Sequence, residues 1–151
     1  MERGERAQAF FKEGYNCAQS VVMAFSDRTG MTENESARLA SSFGGGLGRM
    51  REVCGTVSGM AIVLGLLYGY DEPRLPGAVQ THYARVQTVA EAFRAQNGSI
   101  VCRELLGDKS PIRSTPDPRN AEYYKKRPCA ELVRMAADIL EEYIENNPPS
   151  S

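Results

Sequence analysis

The residues of this 151-residue chain best able to do chemistry are its four cysteines, Cys17, Cys54, Cys102 and Cys129. Each reads as lying in or near the opening turn of a helix. There the unsatisfied N–H groups and the positive end of the helix dipole draw a thiol toward thiolate, the form that attacks disulfides and binds metals. Two chemistries fit such a set. One is cycling between dithiol and disulfide; the other is a metal centre held by all four thiolates, either a [2Fe-2S] cluster or redox-silent zinc. A third reading gives the cysteines no chemistry, because an unpaired cysteine packs well as a small hydrophobe, and the chain is then a helical interaction protein. No C-x-x-C pair or other local zinc spacing occurs, so any shared site must be assembled by the fold.

Arg49, Arg51, Arg103 and Arg127 are the cations placed to favour thiolates. Glu52, two residues before Cys54, could accept its proton, but acidic residues in a first turn more often serve the helix dipole. Gly44, Gly46 and Gly48 resemble a phosphate loop only superficially: no strand precedes them and no Walker lysine follows. Gly46, Gly48 and Gly55 are better read as candidate cofactor-site glycines, where backbone approaches the sulfur site closely. His82 has no sequence-local partner and is left out of the site. Ser58 has neither a nucleophile elbow nor a base beside it.

The elements that must position these residues read as helices nearly throughout. Ala7, Phe10 and Phe11 mark a first helix from Arg3 to Lys12. Asn16 with Gln19 makes a capping box that starts a second helix at Cys17, running through Val21, Val22 and Phe25. Gly30 closes that segment. Thr32 with Glu35 opens another helix with Ala37, Leu39, Ala40 and Phe43 as its apolar contacts, and the glycines at 44 to 48 end it. A helix from Arg51 to Tyr68 carries an apolar run from Met60 to Leu67 with no polar face and is expected to be the central buried helix. The run is too short for a membrane span of about 20 residues.

After the Pro73 to Gly77 turn, Val79, Tyr83, Val86, Val89, Ala90 and Phe93 share one helical face that Asn97-Gly98 terminates. Ser99 is expected to cap a short helix with Cys102 at its third position. Pro111, Pro116 and Pro118 predict an extended, exposed loop between Asp108 and Arg119. A short helical piece spans Asn120 to Lys126. Pro128 then suits the first position of a last helix, with Cys129 second and Leu132, Val133, Ala136, Ile139, Leu140, Tyr143 and Ile144 on its apolar face. No segment alternates at period two, and no internal repeat is visible. The expected fold class is all-α, a bundle of about six helices forming a single domain over residues 1–151.

Eighteen basic against nineteen acidic residues leave a net charge of −1, without a basic stripe, which disfavours nucleic acid as a partner. The polar start, Met1 to Arg6, lacks the apolar stretch of a secretory signal, so a cytoplasmic location is expected. In that compartment cysteine sets are more often catalytic or metal-binding than structural disulfides. The all-round apolar helix suits either a monomer core or a homodimer interface.

The segment Phe43-Gly44-Gly45-Gly46-Leu47-Gly48-Arg49-Met50-Arg51-Glu52-Val53-Cys54-Gly55-Thr56-Val57-Ser58-Gly59, with Tyr15-Asn16-Cys17-Ala18-Gln19 upstream, resembles the C_GCAxxG_C_C family of redox-active proteins. That family carries four cysteines, the second inside C-G-A-x-x-G. Here Thr56 replaces the alanine, a small-for-small change that keeps Cys54, Gly55 and Gly59, while Cys17, Cys102 and Cys129 match the other three cysteines by order. The resemblance covers roughly Gly4 to Ile144. It implies a redox role, with an oxidoreductase or electron carrier as the open alternatives, an unknown redox partner and no assigned substrate. The split-Soret type of cytochrome, a relative of the family, carries such cysteines beside haem. This chain has no C-x-x-C-H and one histidine, which excludes covalent haem.

Overall fold

The computed structural model describes residues 2–107 and 112–150. Over these the chain is all-α. The helices are α1 (Arg3–Lys12), α2 (Cys17–Ala24), α3 (Ser26–Thr29), α4 (Glu33–Ala40), α5 (Gly55–Tyr68), α6 (Ala78–Asn97), α7 (Cys102–Leu106), α8 (Ala121–Lys126) and α9 (Cys129–Asn146), with a 3-10 turn at Ser41–Phe43. The described residues form no β-ladder, only an isolated antiparallel bridge between Val53 and Val101. No helix among them is long and apolar enough to cross a membrane. Pro111, part of the expected extended loop, lies outside the described residues.

Local cap chemistry sets the starts of α2 and α4. Gln19 N–H donates to Asn16 Oδ1 at 2.8 Å and Asn16 N–H donates to Gln19 Oε1 at 3.0 Å, so two otherwise orphaned donors are satisfied reciprocally. Thr32 and Glu35 repeat the arrangement at α4. The Asn16 amide also donates to Ser41 O at 3.1 Å, and the Gln19 amide to Ala37 O at 3.0 Å, fastening the start of α2 to α4 and the turn after it. Asn16→Ala is expected to lower the unfolding free energy by about 1 kcal/mol, the usual cost of a lost N-cap, as measured by chemical denaturation.

The most enclosed helix is α2, six of whose eight residues are buried, and it packs against α1, α4, α5 and α9. The apolar α5 is therefore not the all-round buried centre expected of it. Its first turns are buried, and a Cβ at Gly59 would stand 2.9 Å from Val21 Cβ, so glycine permits the tight α2–α5 crossing. Its last turns emerge from the core, leaving Gly65 exposed and Leu66 42% exposed. Two other apolar expectations fail for the same reason, that periodicity does not say which neighbours arrive. Leu39 is 44% exposed while Ser36 takes the buried place on α4, and on α6 Val89 and Phe93 are buried but Tyr83 is 56% exposed. On α9 the expected face holds: Leu132, Val133, Ala136, Leu140 and Ile144 are buried.

Along the α1–α9 contact runs an acidic groove containing Asp27, Asp138, Glu141, Glu142 and Glu145. Arg3 spans it, donating from Nε to Glu141 Oε2 at 2.8 Å and pairing with Asp27. Beside it the Gly4 N–H donates to Asp138 Oδ1 at 3.0 Å.

Candidate functional site

All four cysteines stand at helix starts, and all four line one cavity of about 430 Å³. Cys17 is the first residue of α2, as its capping box predicts, and Cys129 is the first residue of α9. Pro128 is the N-cap of α9 rather than its first residue, which moves Cys129 one place earlier than expected. Cys54 is the N-cap of α5, because that helix begins at Gly55 and not at Arg51. Cys102 opens the five-residue α7 behind Val101, so Ser99 is not its cap. Instead the Ser99 hydroxyl accepts from Val101 N–H at 2.9 Å and donates to Glu104. Cys17 is half-buried and the other three are buried, and all four are free thiols.

The correction at Cys54 and Cys102 has one non-local cause. The Val53–Val101 bridge is flanked by two short hydrogen bonds, Cys54 N–H to Ile100 O at 2.7 Å and Cys102 N–H to Glu52 O at 2.6 Å. These pairings hold residues 52 to 54 extended and bring the two cysteines to diagonal positions on either side of the bridge. In the same cavity Cys17 and Cys129 are near enough for each to be the largest influence on the other's protonation.

The loop before the bridge is left-handed. Gly45, Gly46, Leu47, Gly48 and Arg49 all have φ between 54° and 72°, and Arg51 follows at 62°. For the non-glycine residues this costs roughly 1–2 kcal/mol each, strain of the kind that concentrates at functional sites. The path turns Arg51 inward, where it is 2% exposed. Its Nη1 donates to Cys102 Sγ at 3.7 Å, while Nε and Nη2 are buried without a hydrogen-bond acceptor among the described residues. Gly46 and Gly55 are where backbone approaches the cysteines. A Cβ on Gly46 would lie 2.7 Å from Cys102 Cβ, and one on Gly55 would lie 3.2 Å from Cys17 Cβ and 2.9 Å from Phe43 O. Gly48 also lines the cavity but makes no such approach.

Among the described residues four arginines, Arg49, Arg51, Arg119 and Arg127, line the cavity against one carboxylate, Asp117. Asp117 pairs with Arg127, with Arg113, and at 3.6 Å with Arg49. Burial raises its pKa, but these arginines more than offset that and hold it below the usual carboxylate range. Arg119 lies over the Phe11 ring at 4.2 Å and donates to the carbonyls of Phe11 and Tyr15, clamping the end of α1. Arg103 faces outward to Glu52 at 2.5 Å, which makes Glu52 an ion-pair partner.

The electrostatics separate the thiols. The neighbouring Cys17 thiol lowers the Cys129 pKa; burial opposes this, and Arg127, Arg119 and Arg51 reinforce it. Cys129 in turn, with burial and the other two sulfurs, pushes Cys17 well up. Burial raises Cys102, partly offset by Arg51. Burial pushes Cys54 up to about 11 from an ordinary 9.0, against a 3.0 Å hydrogen-bonding contact with the Thr56 hydroxyl. Tyr123 is pushed up to about 12 by burial and by the sulfurs of Cys129 and Cys17. At Cys54 folding favours the neutral thiol, so its contribution to stability is complete below pH 9.0 and is lost as pH rises through about 11. Alkaline unfolding is therefore expected to begin in that window, and a Cys54→Ala variant should show less of it in pH-dependent denaturation.

Among the described residues no group of three or more cysteine, histidine, aspartate or glutamate side chains is arranged to hold a metal ion. The donor chemistry, four thiols, suits iron–sulfur or zinc ligation, but the sulfurs would have to draw together to provide it. Asp117, Arg119 and Tyr123 were not singled out from sequence. The signals available were weak: a carboxylate locked between Pro116 and Pro118, and an arginine and a tyrosine four residues apart.

No curated protein and no solved structure shows significant similarity to the chain. A protein-family comparison matches residues 15–143 to the family described as "Putative redox-active protein (C_GCAxxG_C_C)". The match contains all four cysteines, the left-handed glycine loop and the Val53–Val101 bridge between Cys54 and Cys102. With most of its length covered and all four cysteines inside that span, the chain belongs to the C_GCAxxG_C_C family.

Proposed function

We propose that this protein is a thiol oxidoreductase whose dithiol–disulfide couple is Cys17 and Cys129. The observation that carries the reading is that these two thiols stand at the starts of two helices of eight and eighteen residues, in one cavity walled by arginines, where each is the largest influence on the other's protonation. The helix dipoles, the neighbouring Cys17 thiol and the nearby guanidinium groups all favour a thiolate at Cys129. That thiolate attacks one sulfur of a small disulfide, forming a mixed disulfide and releasing the other half as a thiolate. Cys17 then attacks the Cys129 sulfur, gives up its proton to the second departing thiolate and closes the Cys17–Cys129 bond. One substrate disulfide is reduced to two thiols for each protein disulfide formed. Enclosure of Cys129 favours a small-molecule substrate over a protein disulfide.

A second reading, a metal centre held by Cys17, Cys54, Cys102 and Cys129, is favoured by their sharing one cavity. Anaerobic purification followed by absorbance, iron and zinc analysis, and thiol counting on one sample separates the readings. A colourless, metal-free protein that reversibly loses two thiols on mild oxidation is the expected result. Charge-transfer bands with stoichiometric iron, or stoichiometric zinc, would overturn it in favour of the metal centre. Four unreactive thiols without metal would leave the cysteines as packing groups in a helical interaction protein.

A further inference from the structure

The charge of the cavity wall is out of keeping with the rest of the molecule. A chain with net charge −1 places, among the described residues, four arginines and one carboxylate around one cavity, which leaves that wall positive while the thiols are protonated. Most of this charge is employed. Arg127 is bound to Asp117; Arg119 donates to two carbonyls; Arg49 donates from Nε to Arg113 O at 2.8 Å. Arg51 is different. It is as buried as the apolar core, yet among the described residues the one polar contact of its side chain is the weak 3.7 Å donation from Nη1 to Cys102 Sγ. A buried cation left so poorly paired is costly.

The two donors left open have a specific geometry. Nε–H and the adjacent Nη2–H lie along the same edge of the guanidinium plane and point the same way. That edge matches the two oxygens of a carboxylate, or two oxygens of a tetrahedral oxoanion, as a bidentate partner. Arg49 adds a second Nη2 that is buried without a hydrogen-bond acceptor among the described residues, at 3.6 Å from Asp117 in an ion pair too long for a bond. Phe11, Leu105, Leu106 and Leu132 give the same space an apolar lining. A small ligand with an anionic end and an apolar body would satisfy both.

We infer that the cavity is an anion-recognition site in which Arg51 is the bidentate donor, so that the substrates of its thiols are small molecules bearing a carboxylate or an oxoanion. Bound there, the anion supplies the missing partner of Arg51 and lies beside Cys102 and the Cys17–Cys129 pair. This rests on the thiol oxidoreductase reading for the word substrate, but not for the binding itself.

The test is therefore a binding measurement that needs no turnover. Reduced protein is titrated calorimetrically with succinate, with inorganic sulfate and with neutral succinamide, at ionic strength matched with chloride. Saturable binding of succinate or sulfate without binding of succinamide is the expected result, and which anion binds more tightly tells carboxylate from oxoanion recognition. Arg51→Met should weaken that binding by about tenfold or more, the scale of a lost charge-assisted hydrogen-bond pair. Asp117→Asn, which removes the carboxylate from the wall, should tighten it, giving a change of opposite sign that a merely unfolded variant could not produce. Binding should persist in a Cys17→Ser/Cys129→Ser variant, so a failed redox reading leaves this result intact. Absence of saturable anion binding in the wild type, or equal affinity in Arg51→Met, overturns the proposal.

Discussion

Cys129→Ser protein is expected to keep its full complement of remaining thiols under mild oxidation with a low-molecular-weight disulfide, where the wild type loses two. The serine cannot form the mixed disulfide, and Cys17, whose largest upward influence is Cys129 itself, still has its pKa held up in the variant by burial and by the sulfurs of Cys54 and Cys102 and is a poor nucleophile on its own. The consequence for stability is as large as that for chemistry. A Cys17–Cys129 bond closes a loop of roughly 110 residues, and a loop of about 100 residues lowers the entropy of the unfolded chain by the equivalent of about 4.7 kcal/mol. Oxidised wild type should therefore unfold at a clearly higher denaturant midpoint than reduced wild type, whereas Cys129→Ser should give one midpoint under both conditions. Thiol counting and peptide mapping by mass spectrometry check the pairing. Recovery of Cys54–Cys102 as the oxidised pair would sink the assignment of the couple.

The second large effect is expected from Gly46→Ala. Two costs add at this position. The backbone is left-handed, at φ 72°, and the new methyl group would stand 2.7 Å from both Cys102 Cβ and Glu52 N and 2.9 Å from Arg51 Cα. Cys102 and Glu52 are tied to each other by the 2.6 Å bond beside the bridge, so neither can move aside alone. A left-handed penalty of about 1–2 kcal/mol and an overpacking penalty of about 1–3 kcal/mol give a loss of roughly 2–5 kcal/mol. Gly48→Ala is the matched control. It is also left-handed, at φ 54°, but the nearest atom to its Cβ is Ser42 O at 4.0 Å, so only the first cost applies. Urea unfolding of the two variants should show a much larger drop in midpoint for Gly46→Ala at unchanged slope. Equal drops would mean that the approach of the glycine loop to Cys102 is not tight.

What sequence could disclose follows the range of the interactions. The starts of α2 and α4 were legible because Asn16 with Gln19, and Thr32 with Glu35, complete their hydrogen bonds within four residues. The apolar face of α9 was legible because eighteen residues sustain one periodic stripe. Cys17 was therefore placed correctly, and Cys129 to within one position. The start of α5 was misplaced because residues 52 to 54 are held extended by a partner almost fifty residues away, and the same bridge displaces the expected cap of α7 from Ser99 to Val101. Neither half of a single-bridge ribbon shows alternation, so nothing local announced it. The inward turn of Arg51 was hidden for a different reason. An arginine after a glycine run reads as surface charge, and only the succession of positive φ values from Gly45 to Arg49 carries it inside. Of the three arginine partners of Asp117, Arg113 is four residues away and Arg127 ten, and only Arg49 is brought from a distant part of the chain.

The acidic groove along α1 and α9 has a consequence at long range. Cys129 begins α9 and Glu145 stands near its end, about 24 Å away at the rise of an α-helix. Arginines crowd the first of these places and carboxylates the second, and the dipole of α9 points in the same sense. With a net charge of −1 the molecule has almost no monopole with which to attract or repel. Its far field is that of a dipole, which exerts torque more than force. An approaching charged molecule is thus met by a protein that rotates toward it, cavity first for an anion and groove first for a cation, before any contact is made.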